Sequence, residues 1–329
     1  MKKVLKIIAY LFGIVAILII GSLAYLQIAF PNVPDPEPLT LDYSQERIER
    51  GAYLANHVTV CMDCHSTRDF SLFSGPPSPG TLGKGGDRFD HSMGFPGVFY
   101  AKNITPSGIS DYTDGELYRV ITTGVTNDGR AMFPLMPYLY YGKMDPEDIY
   151  SIIAYIRSLD PIEYEVPDSK ADFPVNFIIK TIPTAATPAK IPDPSDQVAY
   201  GAYMVNASGC IECHTPVNDQ GQIIPEFAFS GGREFGNPDG SVLRSSNITQ
   251  DPTGIGNWTE EQFVRQFKQY ADSGYVIPKI PRGDFNSLMP WTMYSGMEES
   301  DLKAIYAYLK TIEPISKEVV KFTPAGSSE

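Results

Sequence analysis

Four cysteines and two histidines form the most chemically distinctive pattern in the sequence. They occur as Cys61-Met62-Asp63-Cys64-His65 and again as Cys210-Ile211-Glu212-Cys213-His214. Cys-x-x-Cys-His is the signature of c-type haem attachment, in which both thiols bond the porphyrin and the histidine reaches the iron. We therefore predict two covalently bound haems c. The predicted attachment residues are Cys61, Cys64, Cys210 and Cys213, and the predicted proximal iron ligands are His65 and His214.

Two other interpretations of these cysteine pairs fit less well. A lone Cys-x-x-Cys also occurs at thioredoxin-like redox sites, and two such pairs together occur at zinc sites. Neither explains a histidine directly after each pair. All four cysteines belong to the two motifs, so none is left over for a structural disulfide.

An electron-transfer haem needs a second strong-field ligand, and a methionine thioether fills that role while raising the reduction potential. Met136 and Met289 occupy matched positions, each between Leu and Pro and before an aromatic residue. We predict them as the distal ligands, with the aromatic covering the haem edge. Met132 and Met293, each four residues away, and His91 in the glycine-rich loop 85–97 remain alternatives. Met144 and Met297 are expected to fill gaps in the core, and His57 is a weak distal candidate.

The proximal imidazole needs an acceptor for its other nitrogen. We expect a backbone carbonyl just beyond each motif, where the second motif is followed by Thr215-Pro216 and the first by Ser66-Thr67-Arg68. This difference, together with solvent exposure, predicts unequal reduction potentials for the two haems. Asn103 and Asn247 match the glycosylation sequon, but we interpret them as structural loop positions near the haem.

An internal repeat must position these residues. Its copies share the order of all their landmarks: Gly51-Ala52-Tyr53 with Gly201-Ala202-Tyr203, Asn103-Ile104-Thr105 with Asn247-Ile248-Thr249, Leu135-Met136-Pro137 with Leu288-Met289-Pro290, and Ala154-Tyr155-Ile156 with Ala307-Tyr308-Leu309. We predict an all-α, loop-rich fold of two tandem class I cytochrome c domains, preceded by an N-terminal transmembrane helix.

Helix signals recur at matched places in the two copies. A first helix is predicted to run through Tyr53 and Leu54 up to the haem motif. Capping boxes begin at Thr113 and Thr259, and Asp145-Pro146 begins a last helix with an apolar stripe. The stripe comprises Ile149, Ile152, Ile153 and Ile156 in the first copy and Leu302, Ile305, Tyr306 and Leu309 in the second. Gly51 and Gly201 are expected to let Tyr155 and Tyr308 approach the first helix closely.

The N-terminus carries a membrane signal. Ile7 to Phe30 contains no charged residue, and Lys2, Lys3 and Lys6 precede it. This length suffices to span a bilayer, and the positive-inside rule predicts export of the remainder. A cleaved signal peptide with Ser22-Leu23-Ala24 at its cleavage site is the alternative, but the long apolar run favours an uncleaved anchor in the bacterial inner membrane, with the haem domains periplasmic.

The predicted organisation has six segments. A proline-rich linker separates the copies and contains apolar residues, so we expect it to pack along them. The predicted segments are a membrane anchor (1–30), a proline-rich stalk (31–39), the first cytochrome c domain (40–164), the linker (165–194), the second domain (195–318) and a C-terminal tail (319–329).

Charge limits the choice of partners. The net charge of the 329-residue chain is −13, and its first 30 residues contain three lysines and no acid. Nucleic-acid binding calls for a basic face and is therefore disfavoured. The acidic surface suits a redox partner with a basic docking patch, although a merely soluble surface would look the same.

The sequence resembles the cytochrome subunits of membrane-bound alcohol, gluconate and aldehyde dehydrogenases and related diheme cytochromes c. The resemblance covers about residues 44–316. Beyond the haem motifs it rests on Ser230-Gly231-Gly232-Arg233-Glu234-Phe235, Thr253-Gly254-Ile255-Gly256-Asn257-Trp258, the Leu-Met-Pro-aromatic segments and the linker from Val166-Pro167 to Phe173-Pro174. Members often carry three haem motifs, whereas this chain has two.

The resemblance implies class I cytochrome c folds, His/Met ligation and electron relay to a quinone or terminal oxidase. The expected function is electron transfer between a donor, such as a periplasmic dehydrogenase, and a respiratory acceptor, without catalysis by the chain itself. The alternative is a diheme redox enzyme such as a peroxidase, which would need one haem with an open distal position.

Overall fold

The computed structural model describes residues 1–327 and is mostly helical, with little sheet. Helix α1 (Lys2–Ala29) comes first. The first copy contains α2 (Gln45–Tyr53), a π-helical turn (Leu54–Val58), α3 (Cys61–Cys64), α4 (Asp114–Thr123), α5 (Tyr138–Tyr141) and α6 (Pro146–Ser158). The linker contains α7 (Val175–Ile178) and a 3-10 turn (Ile179–Thr181). The second copy contains α8 (Gln197–Ala207), α9 (Cys210–His214), α10 (Glu260–Lys268), α11 (Trp291–Tyr294) and α12 (Glu299–Leu309).

The all-α expectation missed two small antiparallel sheets. The first has the order β1 (Arg88–Phe89), β2 (Gly97–Tyr100) and β3 (Lys170–Ala171), with Phe89 opposite Phe99 and Val98 opposite Lys170. The second has the order β4 (Glu234–Gly236), β5 (Val242–Arg244) and β6 (Phe322–Thr323), with Leu243 opposite both Phe235 and Phe322. Strands of two to four residues leave too short an alternation to be recognised in a sequence.

Each sheet takes its third strand from outside the repeat copy. Strand β3 comes from the linker, which also donates backbone hydrogen bonds from Thr187 to Gly142 and from Ala189 to Lys143. The linker therefore packs on the first copy as expected. Strand β6 comes from the tail predicted for 319–329, of which residues 328 and 329 lie outside the described residues.

The predicted helix signals are confirmed. Thr113 and Thr259 both form capping boxes, and the Asp145 side chain caps α6 with Pro146 at its first position. The apolar stripes of α6 and α12 are buried in the core. A Cβ added at Gly51 would overlap the Ser151 carbonyl, and one at Gly201 would overlap the Ala304 carbonyl. Both glycines therefore permit the close packing of α2 on α6 and of α8 on α12.

The first helix does not continue regularly to the first haem motif. Cys61 lies ten positions after Gly51, whereas Cys210 lies nine positions after Gly201. A π-helical turn takes up one additional residue without ending a helix, and the Leu54–Val58 turn occupies this place in the first copy only. The π-helical turn thus accommodates the extra residue before the first motif.

The two copies contact each other through matched tyrosines. Tyr53 donates a 2.5 Å hydrogen bond to Asp301 of the second copy, and Tyr203 donates a 2.6 Å bond to Asp148 of the first. In both cases the tyrosine oxygen also accepts from the backbone N–H three residues before that aspartate. The contacts are reciprocal, so the copies are related by an approximate two-fold rotation.

A second reciprocal pair of contacts lies in the same interface. The His57 ring Nδ1 is 2.8 Å from the Met293 carbonyl oxygen, and the Asn206 amide donates a 3.0 Å bond to the Tyr140 carbonyl. Met293 and Tyr140 each lie four residues after the predicted distal methionine of their copy. The interface therefore contacts both distal segments.

Helix α1 stands apart from this core. It has 28 residues, its mean hydropathy reaches 2.7, and none of its side chains is buried. At 1.5 Å per residue it is about 42 Å long, which exceeds the hydrocarbon thickness of a bilayer. It is therefore long and apolar enough to span a membrane.

Candidate haem-binding sites

The two Cys-x-x-Cys-His motifs begin in the same way. Each first cysteine follows a residue in the left-handed backbone conformation, Gly209 with φ of 62° in the second copy and Val60 with φ of 43° in the first. Each pair of cysteines then lies on a short helix, α3 or α9, which brings both thiols and the following histidine to one side. None of the four cysteines is in a disulfide.

Each motif histidine is held by a backbone carbonyl, but not by the one that the sequence suggested. His65 Nδ1 lies 2.6 Å from the Lys102 carbonyl oxygen, and His214 Nδ1 lies 2.7 Å from that of Ser246. We expected an acceptor just beyond each motif, which is wrong: these acceptors lie 37 and 32 residues further along the chain. The fold brings these distant carbonyls next to the motif histidines, and no short-range spacing in the sequence indicates that contact.

These hydrogen bonds define the protonation of both imidazoles. A carbonyl oxygen can only accept, so Nδ1 carries the proton and Nε2 keeps a lone pair. Burial lowers the pKa of His65 and of His214, and this favours the neutral ring over the imidazolium. Both rings therefore present the nitrogen donor that an iron ligand requires.

The carbonyls are placed by the Asn-Ile-Thr segments that directly follow them. The Asn103 side-chain oxygen accepts from the backbone N–H and the hydroxyl of Thr105, and Asn247 does the same with Thr249. The Asn103 amide also donates to the Ile162 carbonyl, and the Asn247 amide to that of Ile315. Both asparagines are buried, so they are structural residues of the loop, as predicted.

One glycine in each copy completes the frame that holds the imidazole. Gly85 N–H donates to the His65 carbonyl at 2.9 Å, and Gly231 N–H donates to that of His214 at 2.8 Å. Both have positive φ, and a Cβ on either would overlap the backbone of Lys102 or Ser246. Only glycine fits between the histidine and its acceptor segment. The sequence showed the Gly-Gly pairs, but not that they contact the histidine segment.

The predicted distal segments share one backbone geometry. The Met136 carbonyl accepts from Tyr138 N–H and the Met289 carbonyl from Trp291 N–H, both at 2.8 Å. Both methionines are half-buried against the core. The helix after each segment is then tied to the chain just before its motif: Tyr141 OH donates to the Thr59 carbonyl at 3.0 Å, and Tyr294 OH donates to that of Ser208 at 2.9 Å.

The aromatic residues after Met-Pro take different places in the two copies. Tyr138 is fully buried, and a Cβ at Gly124 would overlap its ring. Trp291 is half-buried and stacks on Tyr270 with ring centroids 5.3 Å apart. Trp291 therefore retains the partial exposure expected of a residue at a haem edge, whereas Tyr138 is part of the core.

The alternative distal residues are occupied elsewhere or belong to the core. His91 Nε2 lies 2.7 Å from the carboxylate of Asp172, and its side chain is 61% exposed. Met144, Met293 and Met297 are buried, as expected of core residues. Met132 is half-buried. Of the two alternative methionines, Met132 shares the half-buried setting of Met136 and Met289, and His57 is half-buried as well but bonds the Met293 carbonyl.

An acid within each motif is paired with an arginine, but from different segments. Asp63 forms a 2.9 Å ion pair with Arg68, just after the first motif. Glu212 forms a 3.2 Å ion pair with Arg233, which follows Gly231-Gly232. The first copy has Asp87 where the second has Arg233, and burial raises the pKa of Asp87 to about 6. The charge around the two motifs therefore differs although their backbone frames match.

The donor set fits a covalently attached haem in both copies. Each motif supplies two unpaired thiols and an imidazole whose Nε2 lone pair is free, on a frame that no disulfide constrains. Within residues 1–327, no group of three or more His, Cys, Asp or Glu side chains is arranged to hold a metal ion. The zinc interpretation of the cysteine pairs therefore lacks the clustered ligands that it requires.

No protein-family model matches the chain. Similar proteins include the cytochrome c subunit of an alcohol dehydrogenase (quinone) from Gluconacetobacter polyoxogenes, 28% identical over 84% of this chain and 58% of that protein. The gluconate 2-dehydrogenase cytochrome c subunit of Pantoea cypripedii is 26% identical over 90% of this chain and 64% of its own length. A diheme cytochrome c-type protein of Cereibacter sphaeroides is 26% identical over 92% of this chain and 97% of its own length.

The chain spans less than two thirds of the length of the dehydrogenase subunits, but nearly all of the diheme protein. These relatives are named as cytochrome c subunits of dehydrogenases and as a diheme cytochrome c. Over most of its length, this chain is thus a homologue of dehydrogenase cytochrome c subunits and of a diheme cytochrome c, as its motifs predicted.

Proposed function

We propose that the protein is a membrane-anchored diheme cytochrome c that carries electrons from a periplasmic dehydrogenase to a respiratory acceptor. The observation that carries the proposal is the duplicated imidazole frame. In each copy, a carbonyl fixed by an Asn-Ile-Thr turn holds Nδ1 and leaves Nε2 as a ligand beside two thiols. Two equivalent sites in one chain suit a relay better than a single reaction centre.

Each site is proposed to bind one haem c through its two cysteines, with His/Met axial ligation. The ligand pairs are His65 with Met136 and His214 with Met289. The matched hydrogen bonds from Tyr141 to the Thr59 carbonyl and from Tyr294 to the Ser208 carbonyl support this pairing. They join each distal segment to the chain two residues before its motif, so both belong to one rigid unit.

When bound, the haems supply a one-electron iron couple. The protein residues keep the surroundings of that couple constant between its two oxidation states. The carbonyl–imidazole hydrogen bonds fix the ring orientation and raise the basicity of Nε2. The reciprocal tyrosine–aspartate contacts hold the two copies together, so the distance between the sites stays constant during transfer.

The copies are proposed to be two tandem class I cytochrome c domains, residues 40–164 and 195–318. The separate packing of α2 on α6 and of α8 on α12 supports this division. Helix α1 is proposed to stay attached as a single-pass anchor in the bacterial inner membrane, with both domains on the periplasmic side. The lysines at positions 2, 3 and 6 support that orientation.

The proposed donor is a dehydrogenase because several relatives are named as cytochrome subunits of alcohol, fructose and gluconate dehydrogenases. The proposed acceptor is a terminal oxidase or a second cytochrome. The net charge of −13 supports docking to partners with basic patches. This association is expected to weaken with rising ionic strength, because salt screens the attraction between the surfaces.

The ligation can be tested with the haem-loaded full chain extracted in detergent. Two low-spin haems with little CO binding in the ferrous state are expected. Met136→Leu and Met289→Leu are each expected to make one haem CO-reactive and to lower its potential, because the thioether is lost. Met144→Leu, in the core, is the control. A CO-reactive haem in the unmodified protein would contradict the proposal and favour the peroxidase alternative.

A further inference from the structure

Loop 69–78 of the first copy extends across the interface to the second copy. It follows the first haem motif, and the chain there is five residues longer than in the second copy, counted from the motif histidine to the Asn-Ile-Thr segment. Its Phe73 N–H donates to the Pro278 carbonyl, and its Ser71 carbonyl accepts from Ile280 N–H, both at 2.8 Å. Loop 69–78 therefore forms backbone hydrogen bonds with the second copy in addition to those that close the loop on itself.

The second copy has a complementary addition, which we call insert 272–287. The path from the capping threonine to the distal methionine is 23 residues from Thr113 but 30 from Thr259. The Asn286 side chain, in this insert, donates to the Phe70 and Leu72 carbonyls at 3.1 Å and accepts from Ser74 N–H at 2.8 Å. The segments that distinguish the copies in length thus bind each other.

Ser74 lies at the end of this contact, against the distal segment of the second copy. Its hydroxyl donates a 2.6 Å hydrogen bond to the Met289 carbonyl and accepts a 2.8 Å bond from Trp291 N–H. The side chain is buried, with the residue 1% exposed. Ser74 also has φ of 68°, a conformation that costs a non-glycine residue free energy. The hydroxyl thus bonds the residues on either side of Pro290.

Within the part of the chain that the structure describes, the first copy has no equivalent brace. Among the described residues, the Met136 carbonyl accepts only from Tyr138 N–H of its own segment. The Met289 carbonyl accepts the corresponding hydrogen bond from Trp291 N–H. It also accepts hydrogen bonds from the Ser74 hydroxyl and, at 3.3 Å, from the Ser287 hydroxyl. The two distal segments therefore share their internal geometry but differ in what holds them.

We infer that Ser74 is a positioning residue for the distal ligand of the second haem, supplied by the first copy. The inference rests on the proposed ligation by Met289. A buried hydrogen bond to the methionine's own carbonyl restricts backbone motion that would let the thioether leave the iron. Through it, the Ser74 hydroxyl acts on the second site, whereas the Ser74 backbone carbonyl accepts from Arg68 beside the first motif.

Ser74→Gly is the most direct test, because glycine removes the hydroxyl while tolerating the positive φ. Losing one hydrogen bond is expected to raise the Met-dissociated fraction of the second haem roughly five- to tenfold. The expected results are a weaker methionine–iron charge-transfer band, faster CO binding and a lower potential at that haem. Met136→Leu and Met289→Leu identify which signal belongs to which haem.

Ser71→Ala is the matched control. Its exposed hydroxyl donates to Asp69 of the same loop, and its carbonyl contact with Ile280 N–H is retained. It is expected to leave both haems unchanged. If Met289→Leu alters the second haem and Ser74→Gly does not, or if Ser74→Gly shifts both haems equally, the positioning role is refuted. If Met289→Leu alters neither haem, the proposed ligation fails first.

Discussion

The two repeat copies hold their histidines in the same way but support the rest of each site differently. The carbonyl acceptor, the Asn-Ile-Thr turn and the glycine beside the imidazole recur position by position. The approach to the motif, the partner of the motif acid and the brace on the distal segment do not. The hydrogen-bonded frame of the histidine is thus common to the two copies, and the differences lie in the segments around it.

Helix packing is expected to give the largest effect and to be equal in the two copies. Gly51→Ala and Gly201→Ala each place a Cβ on a carbonyl of the facing helix. Each is expected to lower the free energy of unfolding by about 3 kcal/mol, at the upper end of overpacking costs, as measured by denaturant titration. Gly274→Ala, where a Cβ meets open space, is the control. Clearly unequal losses in the free energy of unfolding would show that the two helix pairs are not packed equivalently.

Substitutions of the residue before each motif are expected to change stability by different amounts in the two copies. Gly209→Val should cost about 1–2 kcal/mol, because a β-branched residue is strained in the left-handed conformation. Val60→Gly should change stability by less than that, since the relief of strain is offset by lost packing and by a more flexible unfolded chain. Denaturant titration measures both changes. Equal and opposite effects would mean that Val60 contributes no packing.

A pH-dependent effect on stability is predicted for the first copy. Burial raises the pKa of Asp87 and of Asp63 to about 6, above an ordinary value of 3.8. The folded state therefore binds protons more tightly than the unfolded state. The resulting stability is complete below about pH 4 and is lost as the pH rises through about 6.

Asp87→Asn is expected to remove roughly half of this pH dependence and leave the contribution of Asp63. Thermal unfolding midpoints between pH 4 and 7 measure it, and the variant should gain relative to the unmodified chain toward pH 7. The second copy has Arg233 in place of an acid at the matched position. An unchanged midpoint profile would show that Asp87 is ionised in the folded protein across this range.

Local signals in the sequence predicted most of the helical frame. The capping boxes, the Asp145-Pro146 start and the glycines between packed helices all depend on residues a few positions apart, and all are confirmed. The histidine acceptors, Lys102 and Ser246, were not predictable in this way. A backbone carbonyl carries no residue-specific mark, and these come from more than 30 residues away.

The differences between the copies were visible in the sequence as differences in spacing. One extra residue before Cys61 becomes the π-helical turn, and the unequal loop lengths become loop 69–78 and insert 272–287. Spacing alone did not indicate that these two additions bind each other. Ser74 in particular had no signal, because a serine in a glycine- and proline-rich loop is common and its partner lies 215 residues away.

The reciprocal contacts of Tyr53 and Tyr203 bear on the origin of the chain. An interface in which each partner offers the same surface patch is the geometry of a two-fold symmetric homodimer. Duplication and fusion of a gene for such a dimer would keep the tyrosine–aspartate pairs and place both subunits on one polypeptide. Once fused, the halves no longer had to stay identical. One half could acquire a loop and the other an insert, whereas in a symmetric homodimer both subunits would carry each addition.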